Sequence, residues 1–180
     1  VTITVDHTSI ESETYKQRFT VVENPLISGL LLYYPMEKGF GNFLHDATNN
    51  NYDGSISGSN WNEDGIVGNK SLSLDGADDY IDVPRMSSFN DGNSGWTVSM
   101  WANPRELEQG DNVTNDRLYS FLDGYFGPYA LLTDGDVWGF RTYDGSNVYE
   151  IKSSTPELNT WTHYTLVATG GSGSGELRLY

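Results

Sequence analysis

Apolar and polar residues alternate along much of this chain, most clearly between Ser71 and Trp101. Successive side chains of a strand point to opposite faces of a sheet, so a period of two predicts strands with one face in a core. No stretch shows the 3.6-residue period of a helix over three turns. The alternation assigns the following residues of this stretch to the core: Leu72, Leu74, Ile81, Val83, Trp96, Val98 and Met100.

One large aromatic residue falls on the face away from this predicted core. Trp101 follows Thr97 and Ser99 at two-residue steps, out of phase with Val98 and Met100. An outward tryptophan serves either as a platform for a ligand or as part of a second packed layer. The pattern leaves both interpretations open.

Turn residues divide the rest of the chain into short strands. Asp134-Gly135 separates two alternating runs, residues 129–133 and 137–143, and Asp-Gly at such a position is typical of a hairpin. Further strands are predicted at 29–35 and 161–169. Many short strands separated by Gly, Asp and Asn predict an all-β fold, an antiparallel two-sheet β-sandwich of the jelly-roll kind.

The first 25 residues are expected to form a unit of their own. Residues 1–5 and 15–22 read as two strands around a polar turn, and Asn24-Pro25 then interrupts the pattern. We expect residues 1–25 to be the terminal hairpin of a preceding β-domain or a linker, with residues 29–180 as the main domain. An extra hairpin on the main domain is the alternative. Because the chain opens and closes inside strand patterns, we expect it to be a piece of a longer protein.

Charge and composition exclude several classes of partner. The formal net charge of −15 argues against nucleic acid, whose phosphates need clustered Lys and Arg. No apolar run approaches the ~20 residues that span a bilayer. The chain contains no cysteine, so disulfides, zinc thiolate sites and thiol nucleophiles are excluded.

Several motifs, in order along the chain, resemble one family. Residues 68–84, GNKSLSLDGADDYIDVP, resemble the "Gly-x-Ala-Leu-x-Phe-Asp-Gly-x-Asp-Asp-Tyr-Val-x-Val-Pro" block of laminin-G-like, concanavalin A-like jelly rolls. Residues 29–46, 49–54, 96–104 and 159–180 are similar to other segments of that family. Ser71 and Leu74 stand where the family usually has Ala and Phe. The family normally continues for several strands after Leu-Tyr, so the resemblance implies a sandwich whose last strands lie beyond residue 180.

The resemblance implies a non-catalytic, extracellular or cell-surface binding module. Its partner is expected to be a glycan, bound in a lectin-like way, or an adhesion partner, with Ca²⁺ as a cofactor. A structural spacer domain of a surface protein and an accessory domain of a glycoside hydrolase are the alternatives. The Glu-x-Asp-x-x-Glu strand of the related glucanases has no counterpart here, and three scattered histidines do not form a triad.

Candidate site residues follow from chemistry and resemblance together. Aromatic rings stack on sugars, and oxygen-rich loops suit calcium, although Asp and Asn in such loops also stabilise turns through their own backbone. His163, two residues after Trp161, is expected to form a half-buried core pair with it. The predicted ligand-binding residues are Trp101, Tyr125, Tyr129, Trp138 and Tyr143. The calcium ligands that the resemblance implies are Asp46, Asn51, Asp53, Asp78 and Asp79.

Overall fold

The computed structural model describes most of the chain, as strands and connecting segments. The described residues are 2–8, 14–20, 29–86, 95–106, 117–120, 126–133, 137–144, 147–169 and 175–180, with the backbone alone in 2–8, 14–20, 117–120, 126–133 and 143–144. None of them forms a helix long and apolar enough to cross a membrane.

The strands occur in the following order. They are β1 (Thr2–Thr8), β2 (Thr14–Thr20), β3 (Phe43–Leu44), β4 (Gly54–Ser57), β5 (Asn60–Asn62), β6 (Ser71–Ser73), β7 (Tyr80–Asp82), β8 (Trp96–Ala102), β9 (Arg117–Ser120), β10 (Phe126–Thr133), β11 (Val137–Asp144), β12 (Val148–Lys152), β13 (Thr162–Thr169) and β14 (Glu176–Leu179). Every pairing among them is antiparallel.

Two sheets enclose the main core. One has the order β12-β11-β10-β9 and the other the order β14-β13-β8. Trp138 and Phe140 from β11 pack with Tyr164 and Leu166 from β13, and the rings of Phe140 and Tyr164 lie 5.5 Å apart between centroids. Face-to-face packing of two antiparallel sheets is the predicted all-β sandwich, and this prediction is confirmed.

β8 shows how the sequence positions the second sheet. It pairs with β13 over seven residues, from Thr162↔Ala102 to Ala168↔Trp96. Its side chains alternate between exposed and half-buried along its length. Val98 and Met100 therefore point inward and Trp101 points outward, as the alternation predicts.

Smaller sheets are built from the segment before β8. β3, β4 and β7 form one of them, and β5 with β6 forms another. The strand with Leu72 (β6) and the strand with Ile81 (β7) therefore belong to different sheets. Leu74 was expected in the core, but it is 41% exposed because β6 ends at Ser73 and the acidic turn begins directly afterwards. Its carbonyl accepts a hydrogen bond from Arg105 Nη2 at 2.7 Å.

The predicted strand at residues 29–35 is wrong. The chain is irregular there, and Leu30 and Tyr33 are exposed. The reason lies in its hydrogen bonds, because the N–H of Tyr33 donates to the side chain of Asp46 and its carbonyl accepts from Ala47 at 2.9 Å. In a regular strand, this N–H and this carbonyl would instead form hydrogen bonds with a neighbouring strand.

The first residues form the predicted hairpin. β1 pairs with β2 from Thr2↔Thr20 to Thr8↔Thr14. Within the described chain this pair forms a sheet of its own. Its assignment to a preceding domain or linker stays a prediction.

Candidate functional site

The surface of the β14-β13-β8 sheet that faces away from the core is called here the outer face. Antiparallel register places outward residues of the three strands side by side, since directly opposed residues share a face. The outer face consists of Thr97, Ser99 and Trp101 on β8, His163, Thr165 and Val167 on β13, and Glu176, Arg178 and Tyr180 on β14 and at its end.

Trp101 is the largest side chain on the outer face. It is 44% exposed, which answers the question that the sequence left open. Its cross-strand neighbour is His163, and the two rings lie 5.0 Å apart between centroids at an interplanar angle of 45°. Contact with the tilted imidazole limits the rotamers of the indole, which stays 44% exposed.

The expectation that His163 is a half-buried core residue is wrong. His163 is exposed, and the inward positions of β13 are Tyr164 and Leu166. Trp161 precedes the strand, and its indole N–H donates to the carbonyl of Asp64 at 3.0 Å. This contact turns Trp161 away from the ladder, so two-residue spacing does not make it a partner of His163.

Hydroxyl groups form a chain beside the indole. Ser99 Oγ lies 2.9 Å from His163 Nε2 and 3.1 Å from Thr165 Oγ1. A hydroxyl has one proton to donate and two lone pairs, so a chain of this kind keeps spare donor or acceptor capacity directed at solvent. The outer face thus offers an aromatic surface next to fixed hydrogen-bonding groups.

The β14 side of the outer face adds a second aromatic ring and a paired charge. Tyr180 is exposed, and its backbone exchanges two hydrogen bonds with Thr165, both at 3.0 Å. Arg178 donates to Glu176 Oε2 through Nη2 at 2.6 Å and Nε at 3.2 Å. The carboxylate of Glu176, followed by Tyr180, raises the pKa of Arg178 above its ordinary value.

The other predicted ligand-binding residues are placed differently. Trp138 is 7% exposed and belongs to the sandwich core with Phe140, so its assignment to a ligand surface is corrected to core packing. Tyr125 and the side chains of Tyr129 and Tyr143 lie outside the described residues. The backbones of Tyr129 and Tyr143 pair with Arg141 and Val148, respectively.

Asp46 organises the loop that the resemblance linked to calcium. It is 1% exposed, and each of its oxygens accepts two hydrogen bonds. Oδ1 accepts from the N–H groups of Tyr33 (3.1 Å) and Thr48 (2.9 Å), and Oδ2 accepts from Thr48 Oγ1 (2.7 Å) and the N–H of Tyr52 (3.0 Å). Burial alone raises the pKa of this carboxyl, but the hydrogen bonds, led by those from Thr48, hold its pKa below the ordinary value.

The neighbours of Asp46 complete a local network. Asp53 Oδ1 accepts from the N–H of Asp46 at 2.8 Å and lies 3.0 Å from His45 Nδ1. The Tyr34 hydroxyl donates to the carbonyl of Tyr52 at 2.5 Å, and burial, followed by the charges of Asp46 and Asp53, raises the pKa of Tyr34 to about 12. Asn51 adopts a left-handed backbone (φ 59°) and is exposed. The carboxylates here are engaged in holding the loop together.

A second acidic group lies in the turn between β6 and β7. The carboxylate oxygens of Asp75, Asp78 and Asp79 can lie within 4.8 Å of one another. Asp79 Oδ2 accepts from the N–H of Asp75 at 2.9 Å, and Asp75 Oδ1 accepts from the N–H of Ala77 at 2.8 Å. The predicted pair Asp78 and Asp79 is thus brought together with Asp75, which was absent from the predicted ligands. The Asp-Gly turn at 75–76 was the signal that could have included it.

Comparison with known proteins agrees with this architecture. Residues 75–180, more than half of the chain, match the family model described as the concanavalin A-like lectin/glucanases superfamily. The match begins at the acidic turn and includes β8, β13 and β14, hence the whole outer face. Neither the curated proteins nor the solved structures that were compared gave a match.

Proposed function

Because the chain belongs to the concanavalin A-like lectin/glucanases superfamily, we propose that it is a non-catalytic binding module that holds a carbohydrate on its outer face. The family contains both lectins and glucanases, so membership alone does not choose between binding and hydrolysis. The chemistry of the outer face favours binding.

The exposure of Trp101 is the observation that carries the proposal. A tryptophan within a paired strand loses little flexibility on binding, because its backbone is already fixed by β13. An indole at 44% exposure leaves apolar area that a sugar ring can cover. Ser99, Thr165 and His163 stand next to it as hydrogen-bonding groups for sugar hydroxyls.

Binding to an immobilised glycan array tests this proposal. The parent chain is expected to bind at least one class of glycan, and Trp101→Ala is expected to abolish that signal. Tyr80→Ala is the matched control, because Tyr80 is an exposed aromatic residue on β7, outside the outer face. No binding to any glycan, or equal binding by the Trp101 variant, would contradict the proposal.

The same exposed surface suits a second function. An aromatic, partly apolar outer face also fits a structural or adhesion module that docks a neighbouring domain. An array without signal, combined with a complex that forms between this chain and a flanking domain and is lost in Trp101→Ala, would favour the docking function. The surrounding gene, read for a glycosidase domain, tests the accessory-domain alternative.

Calcium is part of the proposal, and it is assigned to the acidic turn. Asp46 already accepts four hydrogen bonds, so it has no lone pair left in position for a metal. Asp75, Asp78 and Asp79 are exposed or half-buried and close together, and Ca²⁺ takes carboxylate and backbone oxygens of this kind. A cation would also relieve the repulsion among these three carboxylates.

Thermal melting with and without Ca²⁺ tests this assignment. The parent chain is expected to melt at a higher temperature in Ca²⁺, and Asp78→Asn is expected to remove that shift, whereas Asp82→Asn, an exposed carboxylate on the following strand, should keep it. A shift that survives in Asp78→Asn, or no shift in the parent chain, would remove calcium from the acidic turn. An extracellular or cell-surface location is proposed together with this function.

A further inference from the structure

Three of the seven Asp-Gly pairs in this chain lie wholly within the described residues, and they begin at Asp53, Asp64 and Asp75. An aspartate cyclises most readily when glycine follows it, because glycine has no side chain to shield its backbone nitrogen and restricts its backbone least. In a folded chain, the reaction depends on the direction of the carboxyl group and on how firmly the glycine is held. The three pairs differ in both respects.

The carboxylate of Asp53 is directed away from the peptide that follows it. Its Oδ1 accepts from the N–H of Asp46 at 2.8 Å and lies 3.0 Å from His45 Nδ1. Gly54 is buried in β4, and a Cβ atom added there would lie 2.8 Å from the Tyr34 hydroxyl. The carboxyl group and the glycine are therefore both held by other contacts, which opposes ring closure.

Asp64 is held in a similar way. Its Oδ1 accepts from Ser71 Oγ at 2.5 Å, seven residues further along the chain. The backbone of Gly65 packs closely on that of Lys70, since an added Cβ atom would lie 2.0 Å from the Lys70 carbonyl oxygen. The carbonyl of Asp64 also accepts from the indole N–H of Trp161 at 3.0 Å. Ring closure would have to break these contacts.

Asp75 differs because its carboxylate folds back over the peptide that follows it. Its Oδ1 accepts from the N–H of Ala77 at 2.8 Å and from that of Asp78 at 3.4 Å, so the carboxyl group lies over the turn that Gly76 begins. Gly76 is exposed, with φ +80°, and an added Cβ atom would meet no atom of the described chain within 4 Å. The Gly76 nitrogen therefore has a carboxyl group directed toward its own turn and room to move.

We infer that Asp75-Gly76 is a site of spontaneous backbone isomerisation through a succinimide ring. The Gly76 nitrogen bonds to Cγ of Asp75, and the proton of that nitrogen leaves with the hydroxyl of the carboxylic acid as one water. Water then adds to either carbonyl of the ring and opens it, which returns aspartate or forms isoaspartate with no net change in mass. The N–H groups of Ala77 and Asp78 stabilise the negative charge that develops on Oδ1 during the attack.

Isoaspartate at this position changes the acidic turn. The main chain then passes through the former side chain and is longer by one methylene, and the free carboxylate is attached directly to Cα. The carboxylate of residue 75 thereby leaves its place beside Asp78 and Asp79. The reaction itself needs neither a bound cation nor a carbohydrate, so its test is independent of the proposed function.

Peptide mapping of the whole chain after incubation at neutral pH tests the inference. The folded chain is kept in water enriched in the heavy oxygen isotope, because each ring opening adds one heavy oxygen atom at the residue concerned. Trypsin separates residues 71–85, with Asp75, from residues 39–70, with Asp53 and Asp64, and the remaining Asp-Gly pairs fall in other peptides. Heavy oxygen and isoaspartate should accumulate at Asp75 several-fold faster than at Asp53 or Asp64.

The chain unfolded in guanidinium chloride is the reference, in which the three sites should react at similar rates. Asp75→Glu should remove the label at this position while it keeps the charge, because the larger ring closes much more slowly. Asp75→Asn should gain the label faster than the parent chain, because ammonia leaves more readily than water. Equal rates at the three sites of the folded chain, or a slower reaction at Asp75 in the folded than in the unfolded chain, would overturn the inference.

Discussion

Asp46 shows how one side chain can fix a segment that has no regular structure. Its carboxylate accepts hydrogen bonds from the backbone N–H groups of Tyr33, Thr48 and Tyr52, which lie outside the strands. Charge-assisted hydrogen bonds of this kind are stronger than those between neutral groups. The hydrogen bonds thereby hold the segments around Tyr33, Thr48 and Tyr52 to Asp46.

We predict that Asp46→Asn lowers the free energy of unfolding by roughly 2–4 kcal/mol, because an amide nitrogen would face backbone donors that need an acceptor. Chemical denaturation measures this change. Asp82→Asn, an exposed carboxylate on β7, is the control and should change stability by no more than about 0.5 kcal/mol. Equal stability of the two variants would contradict the anchoring role.

The same carboxylate predicts a pH dependence with a definite sign. The pKa of Asp46 is lower in the folded chain than its ordinary value, so its ionised form stabilises the fold above the unfolded pKa of about 4. That stabilisation is lost as the pH falls through the folded pKa. Melting temperatures of the parent chain should therefore drop between about pH 4 and pH 2 more steeply than those of Asp46→Asn. Parallel profiles would contradict this assignment.

A side chain at Gly65 is expected to clash with neighbouring backbone atoms, which is a different effect from the backbone strain at a glycine of positive φ. A Cβ atom at this position would lie 2.0 Å from the carbonyl oxygen of Lys70 and 2.5 Å from its nitrogen, and both are backbone atoms. We predict that Gly65→Ala destabilises the fold by about 3 kcal/mol. Gly76→Ala is the comparison, because that site is open but has φ +80°, and it should cost only about 1–2 kcal/mol of backbone strain. Thermal melts of both variants give the order.

At the scale of single strands, the inner and outer faces of the two sandwich sheets have separate tasks. Trp138 on β11 is buried in the core, and Trp101 on β8 is exposed on the outer face. We predict that Trp138→Ala costs about 3–5 kcal/mol of stability, whereas Trp101→Ala costs less than about 1 kcal/mol. Urea denaturation of both variants measures the contrast. A large loss in Trp101→Ala would show that the indole supports the fold, and its effect on ligand binding could then no longer be interpreted directly.

Alternation in the sequence predicted the inward and outward side chains of β8, because successive residues of a strand point to opposite faces of the sheet. Trp101, Val98 and Met100 lie on the predicted sides. Alternation could not predict the irregular structure of residues 29–35. A backbone N–H within this apolar run, that of Tyr33, donates to the carboxylate of Asp46 more than ten residues away. The expected pairing of His163 with Trp161 was wrong for a related reason, because Tyr164 and Leu166 are the inward residues of β13 and Trp161 donates to Asp64 before the strand begins. Contacts that are distant in sequence decide such cases.

Of the candidate site, the sequence predicted Trp101 and the pair Asp78 and Asp79, but neither His163 nor Asp75. Trp101 was identified from its phase in β8, whereas the contribution of β14 depends on a register that no local pattern contains. Acidic residues were identified as one class of calcium ligand. The structure separates them into a saturated anchor at Asp46 and an exposed group around Asp78, and the difference lies in which backbone N–H groups fold back onto each carboxylate.

At the scale of the whole molecule, charge opposes folding. The chain carries 25 acidic and 10 basic residues, and like charges are brought closer together when it folds. We predict that sodium chloride raises the melting temperature steadily between 10 mM and about 500 mM, over which range the Debye length falls from about 30 Å toward 3 Å. Differential scanning calorimetry measures this effect, and potassium chloride at equal ionic strength should reproduce it. Calcium bound at the acidic turn would instead raise the melting temperature at millimolar concentrations, further than ionic strength explains, and only while Asp78 is present. A melting temperature that falls with salt would show that attractive ion pairs such as Arg178–Glu176 outweigh the repulsion among the acidic residues.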